Sequence, residues 1–165
     1  RDFFLGETIK RHFLFYNAIN FIQMLWLQLV IYAALDPRFD HTQNVLWIHF
    51  VFVIANAAMV EIVRKIKPPT AESSGHDTYS WRLGFRGALL LYLITFIITI
   101  ALYLWCVHLT TSDYEGFHWL ATALSALSVG TVLYYDSHRS KTAEHILEGT
   151  AIVIYLCLHG SLVFV

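Results

Sequence analysis

Residues 87–108 read GALLLYLITFIITIALYLWCVH, an apolar run without one Asp, Glu, Lys or Arg. Strands extend over about 3–10 residues, whereas a helix that crosses a bilayer needs about 20 mostly apolar residues. The run is therefore too long and too continuous for a strand and long enough to span. Working outward, comparable runs lie at 13–35, 45–63, 117–135 and 144–165. The composition agrees, with 57% hydrophobic and only 14% charged residues, against about 25% charged in a soluble domain. The expected fold class is all-α: an integral membrane helix bundle of five transmembrane helices in a single domain, 1–165. The chain opens on Arg1 and stops at Val165 inside an apolar run, with nothing resembling a signal peptide. It is expected to be the C-terminal segment of a longer protein.

Lysine and arginine accumulate on the cytoplasmic side of short membrane loops. With five spans, Arg38 stands alone on one side and the other ten basic residues fall on the opposite side. This places the N-terminus and the 56–86 loop in the cytoplasm and the C-terminus outward, in an inner or cytoplasmic membrane. Trp47, Trp105 and Trp119 then fall near the outer interface and Trp81 near the inner one, where amphipathic rings prefer to lie. Cys106 and Cys157 lie inside apolar runs without metal-ligand spacing and are expected to pack as small apolar side chains. The small residues Ala121, Ala123, Ser125, Ala126, Ser128 and Gly130 suggest a close helix contact. In the first span Asn17, Asn20 and Gln23 form one polar stripe, suited to interhelical hydrogen bonds or a cavity wall. Membrane lipids are the expected surroundings, and no nucleic-acid partner is expected.

Most charge in the middle of the chain lies in residues 56–86, NAAMVEIVRKIKPPTAESSGHDTYSWRLGFR. Glu61, Arg64 and Lys65 share a helical face at spacings of three and four. Pro68-Pro69 then ends the span, and Glu72 and Asp77 bracket Gly75. Carboxylates and cations together at the end of a membrane bundle suit a lipid with a diphosphate head. Carboxylate oxygens suit Mg²⁺ bridging to phosphate, and Lys or Arg neutralise phosphate oxygens. The alternative is a plain membrane boundary, where a basic cluster is expected in any case.

The segment EIVRKIKPPTAESSGHDTYSWRLGFRGA resembles the second acidic motif of the UbiA-type membrane prenyltransferases. There an acidic residue near a helix end leads into an acid-containing loop, then a Gly, a Thr and a further Gly where the next helix begins. The matching positions are Glu61, Glu72, Gly75, Thr78 and Gly84. This chain has Pro68, Pro69, Thr70 and Ala71 where family members commonly carry further Asp residues, and it has no counterpart of the family's first acidic motif. The resemblance implies the last five of nine spans, the missing N-terminal half or partner chains lying elsewhere. It also implies transfer of an isoprenoid chain from a polyprenyl diphosphate to an acceptor with Mg²⁺. On that basis Glu61, Glu72 and Asp77 are candidate metal ligands, Arg64, Lys65 and Lys67 candidate diphosphate contacts, and Asn56 and Tyr79 pocket groups.

Two other functions fit the same residues. One is a non-catalytic membrane subunit of a larger complex. The other is a haem-binding membrane subunit, because His49 and His159 lie at similar depths of two spans. Glu144 and Glu148, one turn apart, read either as a solvated helix start that suits the helix dipole or as part of the same charged mouth.

Overall fold

The computed structural model describes residues 44–72, 78–112 and 114–162, together with scattered helical positions between 19 and 34. The chain divides into two compact units, Arg1–Gln43 and Asn44–Val165. In the first unit Ile22, Gln23, Trp26, Leu27 and Val30 are exposed. Asn17, Asn20 and most of the expected span 13–35 lie outside the described residues.

In the second unit the elements are α1 (Asn44–Arg64), the short α2 (Tyr79–Leu83), α3 (Phe85–Thr110), α4 (Glu115–His138) and α5 (Lys141–Leu162). Among the described residues the regular structure is entirely helical, and four helices are long and apolar enough to cross a membrane. These four match the runs at 45–63, 87–108, 117–135 and 144–165 to within three residues at either end. The excess falls at the polar ends, where hydropathy drops before the backbone hydrogen bonding does.

Local chemistry sets the boundaries. After α1, Lys65 and Ile66 donate to the carbonyls of Ile62 and Val63, an i→i−3 pattern that tightens the last turn. Pro68 follows, and the position before a proline disfavours helix. Thr78 caps α2: its hydroxyl accepts from the Trp81 N–H at 3.2 Å. Gly84, at φ 74°, makes the corner between α2 and α3, a backbone region that glycine enters without strain. Arg139 closes α4 in the left-handed region, its N–H on the Tyr135 carbonyl at 3.0 Å. Ser140 then starts α5, its hydroxyl accepting from the Ala143 N–H at 3.2 Å.

The long helices form a ring in which α1 packs on α3, α3 on α4, α4 on α5 and α5 back on α1. Phe50, Phe52, Met59, Tyr92, Leu147 and Ile154 are among the large side chains sealed inside. A third or less of each span's apolar window is buried. Leu90, Ile94, Ile97, Leu133, Ile152 and Leu156 are among the apolar side chains left on the outside. In water so large an apolar surface would drive association; in a bilayer it meets hydrocarbon.

The small-residue run of α4 does not act as one packing face. Ala121 and Ser128 point inward, on the stripe that continues through Val132 and Tyr135, while Ala123, Ala126 and Gly130 are exposed. A helix of 3.6 residues per turn places them on its other side, and a Cβ added at Gly130 would meet nothing.

Candidate functional site

The turn after α1 is held by its backbone. The Lys65 carbonyl accepts from the Tyr79 N–H at 2.9 Å. The Ile66 carbonyl accepts from the Tyr135 hydroxyl at 3.1 Å, and the Lys67 N–H donates to Ser80 Oγ at 2.9 Å. Three successive residues are thus fixed by α2 and α4, with Ile66 and Tyr135 wholly buried. Orphan groups at a helix end need such partners.

This anchoring aims the Lys67 ammonium at α5. Nζ forms an ion pair with Glu144 Oε1 and lies 3.5 Å from Glu148 Oε1. Glu144 is nearly closed off, at 6% exposure, with Lys67 as its counter-charge. His145 Nδ1 lies 3.5 Å from the other Glu148 oxygen. Burial pulls the Lys67 ammonium down, but the hydrogen bonds and charges of Glu144 and Glu148 outweigh it and hold Lys67 above its ordinary value.

Glu61 serves two cations on its own helix: Arg64 at 3.3 Å and Lys65 at 2.9 Å. Glu72 accepts from the Thr78 hydroxyl, so Thr78 links the loop to the start of α2. Asp136 holds Arg86 at 3.2 Å and Arg139 at 3.3 Å. Among the described residues no three His, Cys, Asp or Glu side chains converge as a metal site. Glu61 and Glu72 are each engaged within their own segment, and Asp77 lies outside the described residues.

The candidates from sequence therefore separate into groups. Lys67 joins Glu144 and Glu148; Glu61, Arg64 and Lys65 form a second cluster; Glu72 pairs with Thr78; and Tyr79 is buried behind the turn, its N–H on Lys65. Asn56 belongs elsewhere, about 12 Å up α1 from Arg64 by helical rise. Wholly buried, its amide Nδ2 lies 2.8 Å from His159 Nδ1 and donates to the Tyr155 carbonyl at 3.4 Å. The same His159 Nδ1 lies 3.1 Å from the Tyr155 carbonyl. Asn56 Oδ1 and His159 Nε2 are buried without hydrogen-bond partners. His49 and His159 both contact the Phe52 ring, at 6.0 and 5.1 Å between centroids.

Of the two readings of Glu144 and Glu148, the structure favours the shared mouth, since both reach Lys67 across 77 and 81 residues of chain. Their i,i+4 spacing in the opening turns of α5 was the available signal. Tyr135 and Ser80 had none, because a hydroxyl that binds a distant backbone leaves no mark in periodicity.

Arg64 and Lys65 are paired with Glu61, and Lys67 with Glu144 and Glu148. Arg64 is the most open of the three cations, its side chain 65% exposed. Such an arrangement can receive an anion, provided the anion takes cations over from carboxylates already holding them. No known protein family, curated protein or solved structure matches the chain.

Proposed function

We propose that this chain is part of a membrane prenyltransferase-like protein that moves an isoprenoid chain from a polyprenyl diphosphate to an acceptor. The observation that carries the reading is the gathering of Arg64, Lys65 and Lys67 with carboxylates at one end of a ring of membrane-length helices. The residue order shared with the UbiA-type second acidic motif supports it, and with it a place as the last five spans of a nine-span fold. In this reading the cations stabilise the departing diphosphate, as preorganised charge does for a developing anion. The apolar interior keeps water from the allylic cation. Mg²⁺ would neutralise diphosphate charge, with Asp77 needed beside Glu61 and Glu72. The 56–86 loop faces the cytoplasm and the C-terminus points outward, as the basic residues indicate.

The test is prenyl transfer by the intact protein in membranes, supplied with a labelled polyprenyl diphosphate and Mg²⁺. Glu61→Ala and Asp77→Ala should each abolish most of the transfer; undiminished product from both would sink the reading. One observation favours a non-catalytic membrane subunit instead: Glu61 is occupied by Arg64 and Lys65 of its own helix. Stoichiometric copurification with other chains, without transfer activity, is what that alternative requires.

A further inference from the structure

Lys67 cannot serve an incoming anion and its present partners equally. Its ammonium is held by Glu144 and Glu148, while the backbone of Lys65, Ile66 and Lys67 itself is fixed by Tyr79, Tyr135 and Ser80. The side chain can swing but its root cannot follow. Any phosphate oxygen that takes the ammonium leaves two carboxylates behind. Glu148 keeps some access to solvent, its side chain 23% exposed, whereas that of Glu144 is 8% exposed. A carboxylate so enclosed is costly without a counter-charge.

We infer that Glu144 and Glu148 are positioning residues that compete with the anionic head for Lys67 and so set the affinity of the mouth for diphosphate. The inference rests on the diphosphate reading above and adds to it the carboxylates that oppose binding. It reverses the usual expectation for a polar residue beside a site. A residue that merely braces the fold weakens binding when altered, but a competitor strengthens it.

The experiment measures binding of inorganic pyrophosphate to the intact protein in detergent by titration calorimetry, at fixed pH and ionic strength. Glu148→Gln and Glu144→Gln should each bind about three- to fivefold more tightly than the native protein, the scale of one partly exposed ion pair. Lys67→Gln should bind several-fold more weakly. Asp136→Asn removes the same charge from the pair with Arg86 and Arg139 and should leave affinity unchanged. Equal tightening by Asp136→Asn would show a general charge effect and overturn the competition. Unchanged or weaker binding in both glutamine variants would also overturn it while leaving the diphosphate reading in place. No binding by any of the proteins would remove both. Because Glu144 is the more enclosed, Glu148→Gln keeps the test usable if Glu144→Gln fails to fold.

Discussion

Among the described residues, α1 and the turn that follows it meet α5 through polar side chains both at the mouth and deeper in the seam, and these contacts are built on opposite terms. At the mouth, Lys67 meets Glu144 and Glu148: full charges, partly open, each with a partner. Deeper in the seam, Asn56 meets His159: an amide and an imidazole, Asn56 wholly enclosed, with one atom on each side left over. Charge is tolerated where solvent can share it, and the polar groups carried into the apolar interior include an amide, an imidazole and hydroxyls such as Tyr92 with Ser128. The mouth is suited to exchanging partners, and the seam to keeping them.

That contrast can be broken by substitution. The largest effect is expected at Phe52, buried in the seam against His49, Tyr103 and His159. Phe52→Ala should cost about 3–5 kcal/mol in equilibrium unfolding from detergent or bicelles. A smaller loss than at Lys67 would mean that the bundle is held together at its mouth.

Lys67→Met should come next, at about 2 kcal/mol, below the roughly 3–5 kcal/mol of a fully buried broken pair because these groups are partly wet. Adding Glu144→Gln should restore most of the loss, since the stranded carboxylate is then gone. The same pair gives a pH signature. Glu144 and Glu148 hold Lys67 above its ordinary 10.5, so its stabilisation is complete below that value and is lost as pH rises through the higher folded one. The alkaline decline of the native protein should therefore be steeper than that of Lys67→Met. Equal slopes would deny Lys67 its role.

Asn56→Leu should cost only about 0.6 kcal/mol, the mean for an interhelical hydrogen bond in a membrane protein. Its Oδ1 is unpartnered, and removing it returns part of what the amide contact contributed. A loss above about 2 kcal/mol would make the seam as dependent on polar pairing as the mouth. The smallest effect belongs to Arg86, whose side chain is 76% exposed. Arg86→Gln should leave the melting midpoint within replicate scatter, because Asp136 keeps Arg139. A clear shift would mean that exposed pairs matter here more than solvent screening allows.

Four of the five expected spans were legible in the sequence because hydropathy reports length directly, as the agreement at 85–110 and 44–64 shows. The inward stripe of α4 was less so: small size marks which residues permit a close contact, while the helical period decides which of them face it. The candidate site was legible in its parts and not in its pairings. Glu61 with Arg64 and Lys65 follows from spacing along one helix. Lys67 with Glu144 does not, because nothing local to either residue fixes how the far end of the chain returns. Asn56 joins the pocket only through the family resemblance, yet its partner, His159, lies on the last helix.

A closed ring of four rods can collapse sideways as a hinged frame does, with every edge intact. Bracing it requires members between corners that are not neighbours. Tyr135 of α4 reaches the Ile66 carbonyl just beyond α1, and Tyr103 of α3 lies 2.8 Å from Ser161 Oγ of α5. These join opposite corners of the ring, one diagonal near each end of the bundle. Two phenolic hydroxyls thereby tie corners that the packed edges do not join, and one of them shares with Tyr79 and Ser80 the hold on the turn that carries Lys67.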